Sequence, residues 1–160
     1  VGAPEGITIN ADVGTTNSGS GTVLTANGLL DLVHAIKSDY TNNATFVFNR
    51  TTLAAIRKLQ DSAGQYVFQA GMLLTGGVPN TILGYPYVEM PDMPDVASSA
   101  KPVAFGDFSR GYMIVDRVGL AVLRDPFTQA TSGNVRYYAR KRVGGQVVLA
   151  EAIRTQTISA

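Results

Sequence analysis

The feature that most constrains this chain is a change of periodicity. Between residues 26 and 60 apolar residues recur at helical spacing, whereas beyond Gly64 they come only in short runs cut by Gly and Pro. Leu29, Leu32, Val33, Ile36 and Tyr40 predict an amphipathic helix over residues 26–40, capped by Thr25, with Asp31, Lys37 and Ser38 turned outward and Asn42-Asn43 at its end. Phe46, Val47 and Phe48 then predict a buried strand. Asn49-Arg50-Thr51-Thr52 offers caps for a second helix over residues 51–60. Leu53, Ile56 and Leu59 form its buried stripe, Arg57 and Lys58 lie in its last turns, and Gly64 follows as a stop.

The remainder predicts strands and loops. Residues 11–28, 71–84 and 92–101 are rich in Gly, Pro, Ser or Asn and are expected as loops. Strands are expected at residues 87–90, 103–105, 112–115, 120–123, 134–142 and 146–152, several of them in hairpins. Gly144-Gly145 is a turn or bulge between the last two, and Asp125-Pro126 ends the one before them. Helices early and strands late make an α+β domain. At 160 residues the chain is expected to be a single structural unit.

Composition removes several classes of chemistry. With no Cys, disulfides, thiolate ligands and thiol redox steps are excluded. Charged residues make up 16% of the chain, against about 25% in ordinary domains, as expected of a polar Gly/Ser/Thr/Asn surface or of one covered by other copies. A net charge of +1 gives no broad basic field. The one local cluster, Arg136 with Arg140, Lys141 and Arg142, alternates with Tyr137 and Tyr138 in strand-like sequence, so nucleic-acid binding is not the first reading. No apolar run approaches the ~20 residues of a membrane helix. The start at Val1-Gly2-Ala3-Pro4 suggests trimming of the N-terminus.

Each local motif has a plainer structural account. Asp12-Val13-Gly14-Thr15-Thr16 is similar to the first phosphate loop of the sugar-kinase superfamily of ATPases, but a Ser/Gly loop and a capped helix follow where a hairpin strand should, and two lobes do not fit in 160 residues. A nucleotide-binding domain is thus the weaker alternative. His34 is the only histidine and has no Cys or second His for a metal, and no Gly-x-Ser-x-Gly elbow accompanies it. Glu89, Asp92 and Asp95 are interrupted by Pro91 and Pro94 and read as a solvated loop. Asn43-Ala44-Thr45 and Asn49-Arg50-Thr51 fit the glycosylation pattern but read as capping and turn residues. No catalytic residue, cofactor site or metal site is expected, and the chain is expected not to be an enzyme.

From Asn43 onward a series of strings carries a resemblance. Phe46-Val47-Phe48-Asn49-Arg50-Thr51-Thr52 leads to Leu59-Gln60-Asp61-Ser62-Ala63-Gly64-Gln65-Tyr66. Leu83-Gly84-Tyr85-Pro86-Tyr87 comes next, with Met93-Pro94 behind it. Phe105-Gly106-Asp107-Phe108, Tyr112 and Asp116-Arg117 then precede Arg142-Val143-Gly144-Gly145 and Glu151-Ala152-Ile153. In this order, over about residues 22–158, they resemble the C-terminal half of tailed-phage major capsid proteins, the Hong Kong 97 capsid fold.

That resemblance implies an axial subdomain of mixed sheet with flanking helices, over about residues 1–118 and 143–160, plus peripheral-subdomain strands over about 119–142. It implies a structural subunit of an icosahedral phage or prophage-derived shell enclosing DNA without sequence-specific contact. The shell would assemble in the bacterial host cytoplasm from pentamers and hexamers of the full-length protein, and the implied partners also include a scaffold, a portal and a maturation protease, with no membrane. An encapsulin-type cargo shell or a gene-transfer-agent capsid fits the same strings. The family's N-terminal arm, extended loop and spine helix have no counterpart here, which suggests a processed or truncated chain. Some members crosslink Lys to Asn with help from a Glu. Asn134 lies near the acceptor position, but Arg140 and Lys141 stand where that Glu would be, so no crosslinking is expected.

Overall fold

A computed structural model describes residues 4–61, 63–67 and 81–159. The first helix forms where the periodicity places it, as α1 (Ala26–His34), with the Thr25 hydroxyl accepting from Gly28 N–H at 3.0 Å. It does not run to residue 40. The chain turns at residues 35–37 and restarts as α2 (Ser38–Thr41). Across the break Ile36 stays in the core, and Lys37 and Tyr40 both donate to the Glu151 carboxylate, Tyr40 Oη at 2.7 Å. β2 (Thr45–Phe48) and α3 (Arg50–Arg57) follow, α3 capped by Asn49, whose Oδ1 accepts from Thr52 N–H at 2.7 Å.

The expected loop over residues 71–84 lies outside the described residues as far as residue 80. Its end forms β3 (Thr81–Ile82), which returns antiparallel onto β4 (Tyr85–Glu89). The loop expected over residues 11–28 also contains a strand, β1 (Gly14–Asn17). It exists because its partner β8 (Ile153–Thr157) arrives from the far end of the chain. With β5 (Val103–Gly106) they form a six-stranded sheet in the order β1-β8-β5-β2-β4-β3, in which β1/β8 and β2/β4 are parallel and the other pairs antiparallel.

α1 and α3 bury their apolar stripes on one face of this sheet. Leu29, Leu32, Val33, Leu53 and Ile56 close over Phe46, Phe48, Val103 and Phe105. The Phe46 and Phe105 rings lie 4.4 Å apart, with Tyr85 edge-on to Phe105 at 5.1 Å and Tyr87 stacked on Phe48 at 5.4 Å. Offset and edge-on aromatic pairs each add about 0.5–1.5 kcal/mol beyond area burial, so these rings anchor the sheet's centre. Two glycines are set by what crosses them. A Cβ on Gly14 would sit 1.3 Å from the Arg154 guanidinium, and one on Gly28 would come within 2.6 Å of both the Gln156 amide and the Ser18 carbonyl oxygen.

The C-terminal half departs furthest from expectation. After the four-residue α4 (Phe108–Gly111) there is one strand, β6 (Tyr112–Asp125), in place of two short ones. β7 (Arg136–Val147) likewise runs straight through Gly144-Gly145, which pair with Val115 and Ile114 and form no turn. The strand expected over residues 146–152 divides: β7 ends at Val147, a 3-10 turn spans Ala150–Ala152, and β8 begins at Ile153. β6 and β7 form a separate two-stranded antiparallel ribbon with register shifts between Asp116 and Ala121. At ~3.4 Å per residue it extends ~45 Å, several times the length of a strand in the body.

Candidate assembly surface

The ribbon is the exposed apolar feature of the molecule. No described side chain between residues 113 and 147 is buried. Of the 20 large apolar side chains that are exposed among the described residues, 12 lie between Met113 and Val148. Ile114 and Leu123 are 70% and 65% exposed. An isolated two-stranded sheet is marginal in water, and contiguous exposed apolar surface marks interaction sites, so this element is built to be covered.

Pairing fixes which residues share a face. Directly opposed residues of an antiparallel pair lie on one side, and the sides alternate along each strand. Leu123↔Tyr138, Ala121↔Arg140 and Val115↔Gly144 therefore define one face, which Arg142 shares by alternation along β7. Val122↔Ala139, Arg124↔Tyr137 and Asp116↔Val143 define the other, which also carries Lys141. On that second face Lys141 Nζ meets the Asp116 carboxylate at 3.0 Å. On the first face Arg136 donates to Tyr138 Oη at 2.9 Å and lies 5.7 Å from that ring's centre. Arg140 and Arg142 have no ion pair among the described residues.

The ribbon's base is stitched to the body. Gly111 C=O accepts from Val148 N–H at 2.9 Å, Glu5 N–H donates to Gly145 C=O at 2.8 Å, and Tyr112 Oη donates to Glu5 C=O at 2.8 Å. Beneath it the Glu151 carboxyl lies below its ordinary range because Lys37 and then Tyr40 hydrogen-bond to it, and Lys37 is correspondingly raised. At the outer end Asp125 caps the turn, accepting from Phe127 N–H at 2.9 Å and Thr128 N–H at 3.1 Å. The Thr128 hydroxyl, first, and then these amides hold its carboxyl low.

The motifs weighed from the sequence fall elsewhere. Asp12-Val13-Gly14-Thr15-Thr16 is a turn entering an edge strand, with Asn10 Oδ1 accepting from Asp12 N–H at 2.8 Å and Gly14 covered by Arg154. His34 is exposed on α1. Glu89, Asp92 and Asp95 do not form a cation site: among the described residues no group of three or more His, Asp or Glu is arranged for a metal. Asp95 instead accepts from Asn49 Nδ2 at 2.7 Å and from the Thr51 hydroxyl, and these bonds, Thr51's first, keep it ionised. Asn49 is buried as the α3 cap, and Asn43 is exposed and bonded to Asp107 and Ser109. Asn134 is exposed beyond the outer turn. The long ribbon itself was missed from sequence. The available signal was apolar and basic residues alternating through Gly144-Gly145, with no Pro from Tyr112 to Asp125.

Comparison with known proteins places this architecture. The model of the Phage capsid family matches residues 1–158. The capsid of an empty GTA particle computed with C5 symmetry is 36% identical over 98% of this chain, with a TM-score of 0.84. A chain from Gordonia phage Cozz is 20% identical over 99% of this chain at a TM-score of 0.64. The holo-SrpI encapsulin of Synechococcus elongatus PCC 7942 is 16% identical over 89% at 0.56. The last two likenesses concern the fold alone. This chain spans 57%, 53% and 52% of those three chains. Curated proteins give no match. An α+β body with a mixed sheet, a projecting two-stranded ribbon, and a family model matching nearly every residue together make this chain a member of the phage capsid family.

Proposed function

We propose that the chain is the folded body of a structural shell subunit that assembles with copies of itself into an icosahedral capsid enclosing DNA, and that it is not an enzyme. The observation that carries this is the 36% identity over 98% of the chain with the capsid of a GTA particle. The physical counterpart is a ribbon with no buried side chain among the described ones, which a lone monomer would leave wet on both faces. On this reading the six-stranded body is the axial unit. The ribbon is the peripheral one, reaching from Tyr112 to Val147 and so beyond the 119–142 expected from resemblance. A cargo shell of encapsulin type is the second reading, favoured only by a fold likeness at 16% identity. Virion localisation, assembly in the host cytoplasm, pentamers and hexamers, and contacts with scaffold, portal and protease follow from the same proposal. Electron microscopy of the full protein expressed in bacteria tests it. Closed particles of uniform diameter are expected, and soluble monomers at high concentration would overturn it.

A further inference from the structure

Charge is divided unevenly between the two parts of the molecule. The ribbon, residues 112–147, holds six cations (Arg117, Arg124, Arg136, Arg140, Lys141, Arg142) and two carboxylates (Asp116, Asp125), a net +4. Since the whole chain carries +1, the rest carries −3. Much of that negative charge is local: residues 81–100 contain Glu89, Asp92 and Asp95 and no Lys or Arg. Exposed apolar side chains flank Glu89 in the sequence, Val88 at 52% and Met90 at 44%.

Resting on the shell reading, we propose that the Arg140/Arg142 face of the ribbon docks onto the Glu89–Asp92 end of β4 in a second copy of this chain. Each surface carries what the other lacks. The ribbon face offers two cations without ion pairs among the described residues, set beside Val115, Leu123 and Tyr138. The body offers Glu89 and Asp92, also without ion pairs among the described residues, at the end of β4, where Val88 and Met90 alternate with Glu89 onto the opposite side of the strand. The opposite ribbon face is less suited, because Asp116 already neutralises its Lys141 and leaves Arg124 as a single cation beside them. Nucleic acid would satisfy the arginines but leave the acidic, apolar surface unmatched. Two different patches on one chain make a heterologous contact, which repeats head to tail and closes when the rotation allows. Complementary charge would steer that encounter and fix its register, and the contact would weaken with salt.

The test is a charge swap in the full protein. R140E/R142E and E89K/D92K are made separately and together, each checked for a native thermal melt, and self-association is followed by sedimentation at low salt. Each pair of reversals is expected to weaken association by about tenfold or more, and the combined variant to recover most of it, since like charges brought together cost well over the 1.4 kcal/mol that a factor of ten represents. Failure of the combination to recover, with all variants folded, overturns the docking. So does normal assembly of both separate variants, whether or not their nucleic-acid binding falls. A lowered melting temperature of the unassembled ribbon variant, unrelieved by the swap, would show that a segment of the same chain covers that face, and overturns it too. Self-association that follows the charge swap without closed particles by microscopy would support the docking and overturn the shell reading. Normal particles from both separate variants would do the reverse.

Discussion

Asn49 ties three segments together with one amide. Its Oδ1 accepts from Thr52 N–H at 2.7 Å, and its Nδ2 donates to Met93 C=O at 3.0 Å and Asp95 Oδ1 at 2.7 Å. Asn49→Ala removes the α3 cap and the hold on the 91–101 loop, so a loss of about 2 kcal/mol is expected in urea unfolding. Asn49→Asp keeps the cap but sets a second carboxylate against Asp95, and should lose nearly as much. Asp107 behaves differently. At 2% exposure it accepts from the Ser109 hydroxyl at 2.6 Å, Ser109 N–H at 3.1 Å and Asn43 Nδ2 at 3.2 Å, and these bonds, Ser109's hydroxyl first, hold its carboxyl below the usual range. A carboxyl lower in the folded than in the unfolded chain stabilises above the unfolded value of about 3.9, and that stability is lost as pH falls through the folded value. Asp107→Asn should therefore flatten the decline of the urea midpoint below about pH 4, relative to the unaltered chain. The caps at Thr25 and Asn49 were legible in sequence, because a cap bonds within three residues. Gly14 and Gly28 were not, since their reasons, Arg154 and Gln156, lie more than 120 residues away.

Among the elements, those closed by local contacts were legible and those closed by distant ones were not. α1, β2 and α3 form close to where periodicity and caps put them. Beyond the α1–α2 break Tyr40 bonds to Glu151, and β1 depends on β8. The sequence reads as four strands here because Gly144-Gly145 resembles punctuation and the apolar runs 112–115 and 120–123 are separated. In β7, however, Gly145 lies against Tyr112: a Cβ there would come 2.5 Å from Tyr112 Oη, so that side chain would have to shift. A strand of this length packed against one neighbour alone should also be the first to open. In the unassembled chain, amides of residues 113–125 and 136–146 are expected to exchange about a hundredfold or more faster than those of β5 and β8, measured by hydrogen–deuterium exchange. Equal protection would mean that the ribbon is as stable as the body and has no need of a cover.

At the scale of the whole molecule, the first and last strands meet at one edge of the sheet, β1 lying beside β8 and Ser18 N–H donating to Thr157 C=O at 2.9 Å. Among the described residues no helix is long and apolar enough to cross a membrane. The sequence by itself determined the α+β class, the two capped helices and the family, because periodicity, caps and short ordered strings are properties of neighbouring residues. Only the tertiary structure decided the strand order, the need for Gly28, and the fusion of four expected strands into one ribbon. Those depend on pairings between segments far apart in the chain, and a strand's local composition does not say which partner will complete its hydrogen bonds.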